Sequence, residues 1–257
     1  MDVISGWHIA KASFTRDKAY LANHMVNNVG SFIFGYIYVS IWRALLGNTP
    51  EANQLTTYVL VNQAGLWLMM FIPYGTYLPE KVRSGNIAFE FLKPYSLLYG
   101  SFFETLGHLI YNFFFRSIPL YILGILILGA QLPSMETLIP YIISVLFGSL
   151  IAFLLNYFIG LYSIKHLSFS GAQACYYFFS SIFGGHFIPA EYYPDFLRNL
   201  MPWTPFASTT YISGSIYIGS IPVMESLLKQ IMWIAILSFL AMYFTRRITR
   251  KVLIQGG

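Results

Sequence analysis

Four side chains, Glu104, His108, Asn112 and Arg116, recur at every fourth residue of an otherwise apolar run. On a helix this spacing draws one slowly winding polar stripe. Ionisable groups at membrane depth face protein or water rather than lipid, so the stripe could line the inner entrance of a substrate path. It could equally be structural, with Arg116 snorkelling and pairing with Glu104 or with a neighbouring helix. A second concentration of chemistry is the segment Leu78–Ser96, where Glu80, Lys81, Arg83, Glu90 and Lys93 gather between two membrane-length runs, punctuated by Pro79, Gly85 and Pro94. In a chain otherwise built for lipid, this is where something from the aqueous side can take hold.

Catalytic chemistry is sparse. Ser180 or Ser181 with His186 could form an intramembrane nucleophile, but Ser and His in helices mostly hydrogen-bond neighbouring helices. His8, His24, His108, His166 and His186 are scattered without ligand spacing, so no metal site is expected. No Gly-x-x-x-x-Gly-Lys-Ser/Thr, His-Glu-x-x-His or Gly-x-Ser-x-Gly sequence occurs. The chain therefore lacks a phosphate-cradling loop and is expected to bind no cofactor itself; if ATP drives it, another chain binds the ATP. Cys175 is the single cysteine, which excludes an intrachain disulfide. Asn62, Gln63 and Asn156 could line a solute path or bond between helices. The pairs Ser31/Gly35 and Gly148/Ala152 have the small-xxx-small spacing that permits close helix contact.

The elements that must position these groups are membrane helices. Hydrophobic residues make up 56 % of the chain and charged residues 10 %, against about 25 % charged in a soluble domain. An all-α membrane protein is the class this implies, forming one transmembrane domain over residues 1–257. About 20 apolar residues cross a bilayer core, and six runs qualify: Met25–Leu46, Leu55–Tyr77, part of Leu97–Ala130, Leu138–Tyr162, a more polar one within Ser168–Ile188, and Leu227–Phe244. The third is too long for a simple span, and Pro119 is the expected kink.

Residues 1–23 lack the layout of a signal peptide. There Trp7, Ala10, Phe14 and Leu21 recur near helical spacing with Lys11, Thr15, Arg16 and Lys18 on other positions, which suits a helix lying in the headgroup layer. Between the fifth and sixth runs, residues 184–222 hold a glycine pair and several prolines yet are rich in aromatics. Short helices dipping back into the interface are expected, with Pro194 in a first turn and the irregular backbone covered by protein or lining a cavity.

The net charge of +5 reflects orientation rather than a nucleic-acid partner. With both termini in the cytoplasm, every basic side chain falls inside except Arg43, Arg198, Lys229 and the in-span Arg116, as the positive-inside rule requires. Leu78–Ser96 then faces the cytoplasm.

Two stretches carry a family resemblance. Val82-Arg83-Ser84-Gly85-Asn86-Ile87-Ala88-Phe89-Glu90-Phe91-Leu92-Lys93-Pro94 is a basic, small, Gly turn followed by an apolar strip and a Leu-x-Pro ending. From Ile182 to Gly219, the landmarks Gly185, Ile188-Pro189, Tyr193-Pro194 and Pro205-Phe206 follow in order. With the six runs and their sidedness, these resemble the membrane permease of type-2 ATP-binding cassette (ABC-2) exporters. The resemblance implies a coupling helix at Glu80, Lys81, Val82, Arg83, Ser84, Gly85, Asn86, Phe89 and Glu90 that docks on an ATPase subunit. It also implies an outer gate at Gly185, Pro189, Pro194, Pro205 and Phe206, a second permease chain, identical or homologous, and ATP with Mg held in the partner. The setting would be the plasma membrane, and the cargo amphipathic: a drug, a lipid or a peptide. A secondary transporter or channel is the alternative, against which stand the missing inverted repeat and the missing carboxylates deep in several spans.

Overall fold

The computed structural model describes residues 3–166 and 169–255; Ser168, where the fifth expected run begins, lies outside them. All regular structure among the described residues is helical. Helix α1 spans Val3–Lys18, α2 Leu21–Leu46 and α3 Pro50–Met69. The α2/α3 corner follows its sequence: Gly47 ends α2 at φ +67, and Thr49 caps α3 by accepting the Ala52 N–H at 3.2 Å, with Pro50 in the first turn. Buried on nearly every side, α3 is the central helix. It meets α2 where Gly35 lies against Leu60 and Gln63, and Gln63 Nε2 donates to the Ser31 carbonyl at 3.0 Å.

After α3 the backbone breaks. Gly75, Thr76 and Tyr77 all take positive φ (54°, 54° and 64°) before α4 (Leu78–Arg83) and α5 (Ile87–Leu92). Two successive non-glycine residues in the left-handed region are strained and need surrounding structure to hold them. The support comes from the helix that holds Gly160: a Cβ there would lie 2.3 Å from the Gly75 carbonyl oxygen, so the two backbones touch directly.

Helix α6 (Leu97–Asn112) passes through a π-helical turn, Phe113–Ser117, into α7 (Ile118–Leu128). Pro119 has no N–H for the Phe115 carbonyl four residues back. Asn28 Nδ2 of α2 donates to that carbonyl at 2.8 Å, so the acceptor freed by Pro119 is satisfied, and the run departs from α-helix in the π-helical turn just before the proline.

Helix α8 (Met135–His166) is followed by α9 (Ser170–Phe183), α10 (Asp195–Leu200), α11 (Tyr211–Tyr217) and α12 (Val223–Gln255). Five helical stretches, Leu21–Leu46, Pro50–Arg83, Leu97–Leu128, Met135–His166 and Val223–Arg250, are long and apolar enough to cross a membrane. The fifth expected run is not among them. Its helix, α9, has 14 residues, about 21 Å at 1.5 Å per residue, short of the roughly 30 Å core. Gly184 and Gly185 end it early.

The core forms two clusters, one toward each end of the bundle. Val39, Trp42, Tyr58, Leu128, Tyr211 and Ile212 belong to one, and Ile72, Leu78, Leu97, Phe153, Tyr157 and Ala241 to the other. Helix α1 lies along α6 because small residues let the backbones approach: a Cβ on Gly107 would stand 2.0 Å from the Ala10 carbonyl oxygen. The protein-facing side of α1 is thus Gly6, Ala10, Ser13 and Asp17, while Trp7 of the expected apolar face is exposed.

Candidate functional site

Glu104 is the hub of the end that carries α1, α4 and α5. Its carboxylate accepts from Lys81 Nζ of α4 at 2.7 Å and from Arg16 Nη1 of α1 at 3.0 Å. Lys81 also meets Glu90 of α5 at 3.0 Å, and Glu90 takes Lys93 Nζ at 2.7 Å. Burial alone would raise the Glu90 carboxyl; Lys93 and Lys81 outweigh it and hold the group below its ordinary value.

From Arg16 the network continues inward. Asp17 Oδ2 lies 2.5 Å from His108 Nδ1, and Asn112 Nδ2 lies 2.9 Å from both His108 Nε2 and the Trp67 carbonyl. An amide N–H pointing at Nε2 makes that nitrogen the acceptor, so Nδ1 carries the proton and donates to Asp17. Burial would raise the Asp17 carboxyl, yet His108 and Arg16 hold it below the usual range. The Arg16 guanidinium rests 4.1 Å over the Tyr77 ring, at the strained break. The Arg116 guanidinium, only 5 % exposed, rests 3.6 Å over the Trp67 ring of α3.

All four residues of the polar stripe therefore engage protein: α1 and α4 at Glu104, α1 at His108, and α3 at Asn112 and Arg116. Arg116 does not reach Glu104, whose oxygens are taken by Lys81 and Arg16. Of the segment 78–96, Lys81 and Glu90 turn inward, whereas Arg83, Ser84, Gly85, Asn86 and Phe89 form an exposed tip. Gly85 supplies the turn between α4 and α5 at φ +77 with open space around it. Phe89 and Leu92 are 65 % and 79 % exposed, an apolar pair flanking the basic Arg83. The contributions of Arg16, Asp17 and Tyr77 are absent from the sequence expectations. The spacing of small residues along α1 ending at Asp17 is the signal that could have found them.

At the opposite end, the segment 184–222 folds back among the helices. Trp42 Nε1 donates to the Phe187 carbonyl at 3.2 Å, and the Tyr38 and Phe187 rings stack at 4.1 Å. Tyr58 donates its hydroxyl to the Gly185 carbonyl. Gly185 has φ +60, and a Cβ there would meet Met201 Cε at 2.5 Å. Pro189 is buried; Pro194 is exposed and stands just before α10 rather than inside its first turn. Phe206 stacks on Phe179 of α9 at 5.7 Å, and Pro205 is half-buried beside it. A Cβ on Gly148 would lie 2.3 Å from the Thr209 carbonyl oxygen; Gly148 is thirteen residues into α8, about 20 Å from its start.

His186, buried, has Nδ1 2.7 Å from Thr210 Oγ1, which itself donates to the Gly184 carbonyl at 2.6 Å. The hydroxyl bonded to that ring is therefore that of Thr210, and Ser180 meets the ring through its backbone rather than its side chain. Among the described residues no group of three His, Cys, Asp or Glu side chains could hold a metal ion.

The chemistry of the arrangement is mechanical: an exposed basic and apolar tip fastened through Lys81 to the third span and to α1. No curated protein matches the chain. Residues 25–256 match the family described as ABC-2 family transporter protein; the chain belongs to that family and is a multi-pass membrane transport component.

Proposed function

We propose that this chain is the permease of an ATP-driven exporter and that Leu78–Ser96 is the element through which an ATPase subunit moves it. The observation that carries the reading is the Lys81 ammonium held between Glu90 of α5 and Glu104 of α6. A load applied at Arg83, Ser84, Gly85, Asn86 and Phe89 reaches the third span and α1 through this clasp, and the second span through the strained break at residues 75–77. ATP and Mg sit in the partner, and a second permease chain completes the path for an amphipathic cargo. The tip biases the permease only by contacting the ATPase unequally in its two states.

Six crossings fit the connectivity. Phe169 lies under Arg83, 5.8 Å from its guanidinium, whereas Phe187 lies against Trp42. Helix α9 and the residues after it thus carry the chain from one end to the other despite the short helix. Both termini then share a side, which the basic residues make the cytoplasmic face of the plasma membrane. Residues 184–222 return into the bundle to the depth of Gly148 and form the outer gate, with Gly185, Pro189, Pro194, Pro205 and Phe206 shaping its backbone.

Purifying the full chain with the products of its neighbouring genes tests the reading. An ATPase chain with a phosphate-cradling loop should co-elute. Transport by the chain alone, driven by an ion gradient, would replace this reading with that of a secondary transporter.

A further inference from the structure

The inner end of α12 presents a stripe that neither the coupling network nor the gate uses. Phe239, Met242, Tyr243, Arg246, Arg247 and Arg250 line one groove of about 620 Å³. All six are exposed. They recur at helical spacing on the side of α12 turned away from α8, for Leu237, Ala241 and Thr245 are buried and Thr245 Oγ1 lies 2.8 Å from the Tyr157 hydroxyl. Aromatic and thioether side chains occupy the mid-membrane part and guanidinium groups the terminal part.

Among the described residues no carboxylate pairs with the three arginines. Among the described residues, the ion-paired carboxylates are Asp17, Glu90, Glu104, Asp195 and Glu225, and each meets a partner other than these. Guanidinium forks match phosphate oxygens in two-point hydrogen bonds. Along the helix the apolar residues Phe239 to Tyr243 span about 6 Å, and the arginines follow over the next 10 Å or so. An apolar floor that ends in guanidinium groups matches a molecule with an acyl chain and an anionic phosphate head.

We propose that this groove is a binding site for an anionic phospholipid, with acyl carbons against Phe239, Met242 and Tyr243 and the headgroup phosphate among Arg246, Arg247 and Arg250. A zwitterionic lipid would leave the excess positive charge unmatched, and a soluble phosphate would leave the apolar floor unused.

Native mass spectrometry tests this on the full chain, alone and with any co-purifying chains, after incubation with equal amounts of phosphatidylglycerol and phosphatidylcholine. Phosphatidylglycerol adducts should dominate on the wild type. Each Arg→Gln substitution should cut the preference about fivefold, and the triple Arg246→Gln, Arg247→Gln, Arg250→Gln variant should show none. Triple Arg→Lys should retain a reduced preference, because the charge stays and the fork is lost. Equal adducts on the wild type overturn the proposal, and that comparison stands even if the triple variant does not fold. An undiminished preference in the triple variant, displacement of the lipid by millimolar inorganic phosphate, or loss of adducts when another chain assembles on this face also overturns it.

Discussion

Lys81 Nζ lies 2.7 Å from Glu104 Oε2, joining the short helix α4 to the third membrane span across 23 residues of sequence. Both side chains are mostly buried, at 21 % and 14 % exposure, so the pair is more than a screened surface contact. Lys81→Ala strands Glu104 and Glu90 with fewer donors and is expected to cost roughly 1–3 kcal/mol. The charge swap Lys81→Glu with Glu104→Lys should cost more still, because it sets a carboxylate beside Glu90 and an ammonium beside Arg16. Melting of the detergent-solubilised variants by intrinsic fluorescence checks both, and equal stability of Lys81→Ala and wild type would remove the clasp.

The contact between Gly75 and Gly160 predicts a strong steric effect. Gly160→Ala places a methyl 2.3 Å from a backbone oxygen that only a helix shift can move, at an expected cost of about 1–3 kcal/mol. Gly171→Ala, with nothing within 4 Å, should be neutral or gain roughly 0.5–1 kcal/mol from helix propensity. Thermal melting of the two variants side by side distinguishes them.

The satisfied carbonyl beside Pro119 predicts coupling between two helices. Asn28→Ala removes the donor to Phe115 and should destabilise the protein by about 1–2 kcal/mol. In a Pro119→Leu background the restored N–H offers that carbonyl a partner, so the same substitution should cost less. A double-mutant cycle should show coupling of roughly 0.5–3 kcal/mol; strict additivity would mean the bond is incidental.

Protonation of Glu90 gives a pH signature. Burial opposes ionisation, but Lys93 and Lys81 prevail and the folded value lies below the ordinary 4.5. A depressed carboxyl contributes its full stability above the ordinary value and loses it as pH falls through the folded one. The melting-temperature difference between wild type and Glu90→Gln should therefore be constant from neutral pH down to about pH 5 and close only in more acid solution. A difference that changes between pH 8 and pH 6 would assign the effect to another group.

Local chemistry made much of this fold legible. Thr49-Pro50 marks a helix start, Gly85 a turn and Pro119 a break in the α-helical hydrogen-bond ladder, because each constrains the backbone at its own position. Distant pairings left no such mark: Asp17 and His108 are 91 residues apart, and nothing local to either names the other. The side of α1 that meets α6 carries little hydropathy signal, because Gly6, Ala10, Ser13 and Asp17 are small or polar and it is their size that lets the backbones approach. The fifth run has enough apolar residues to cross, but the glycine pair at 184 and 185 ends its helix after 14 residues. The family resemblance placed Lys81 in a docking surface; its side chain engages Glu90 and Glu104, and Arg83, Asn86 and Phe89 are among the residues of that segment left exposed.

The proposed coupling requires that the ATPase act on the exposed tip. The decisive measurement is ATP hydrolysis by the purified complex carrying Arg83→Glu and Phe89→Ala, compared with wild type and with the assembly recovered on a size-exclusion column. We expect the variant permease to melt like wild type, to lose most of the co-eluting ATPase chain, and to drop substrate-stimulated hydrolysis about tenfold or more, two lost contacts of about 1 kcal/mol or more each. Wild-type assembly and wild-type stimulated hydrolysis in that variant would contradict the coupling role of Leu78–Ser96.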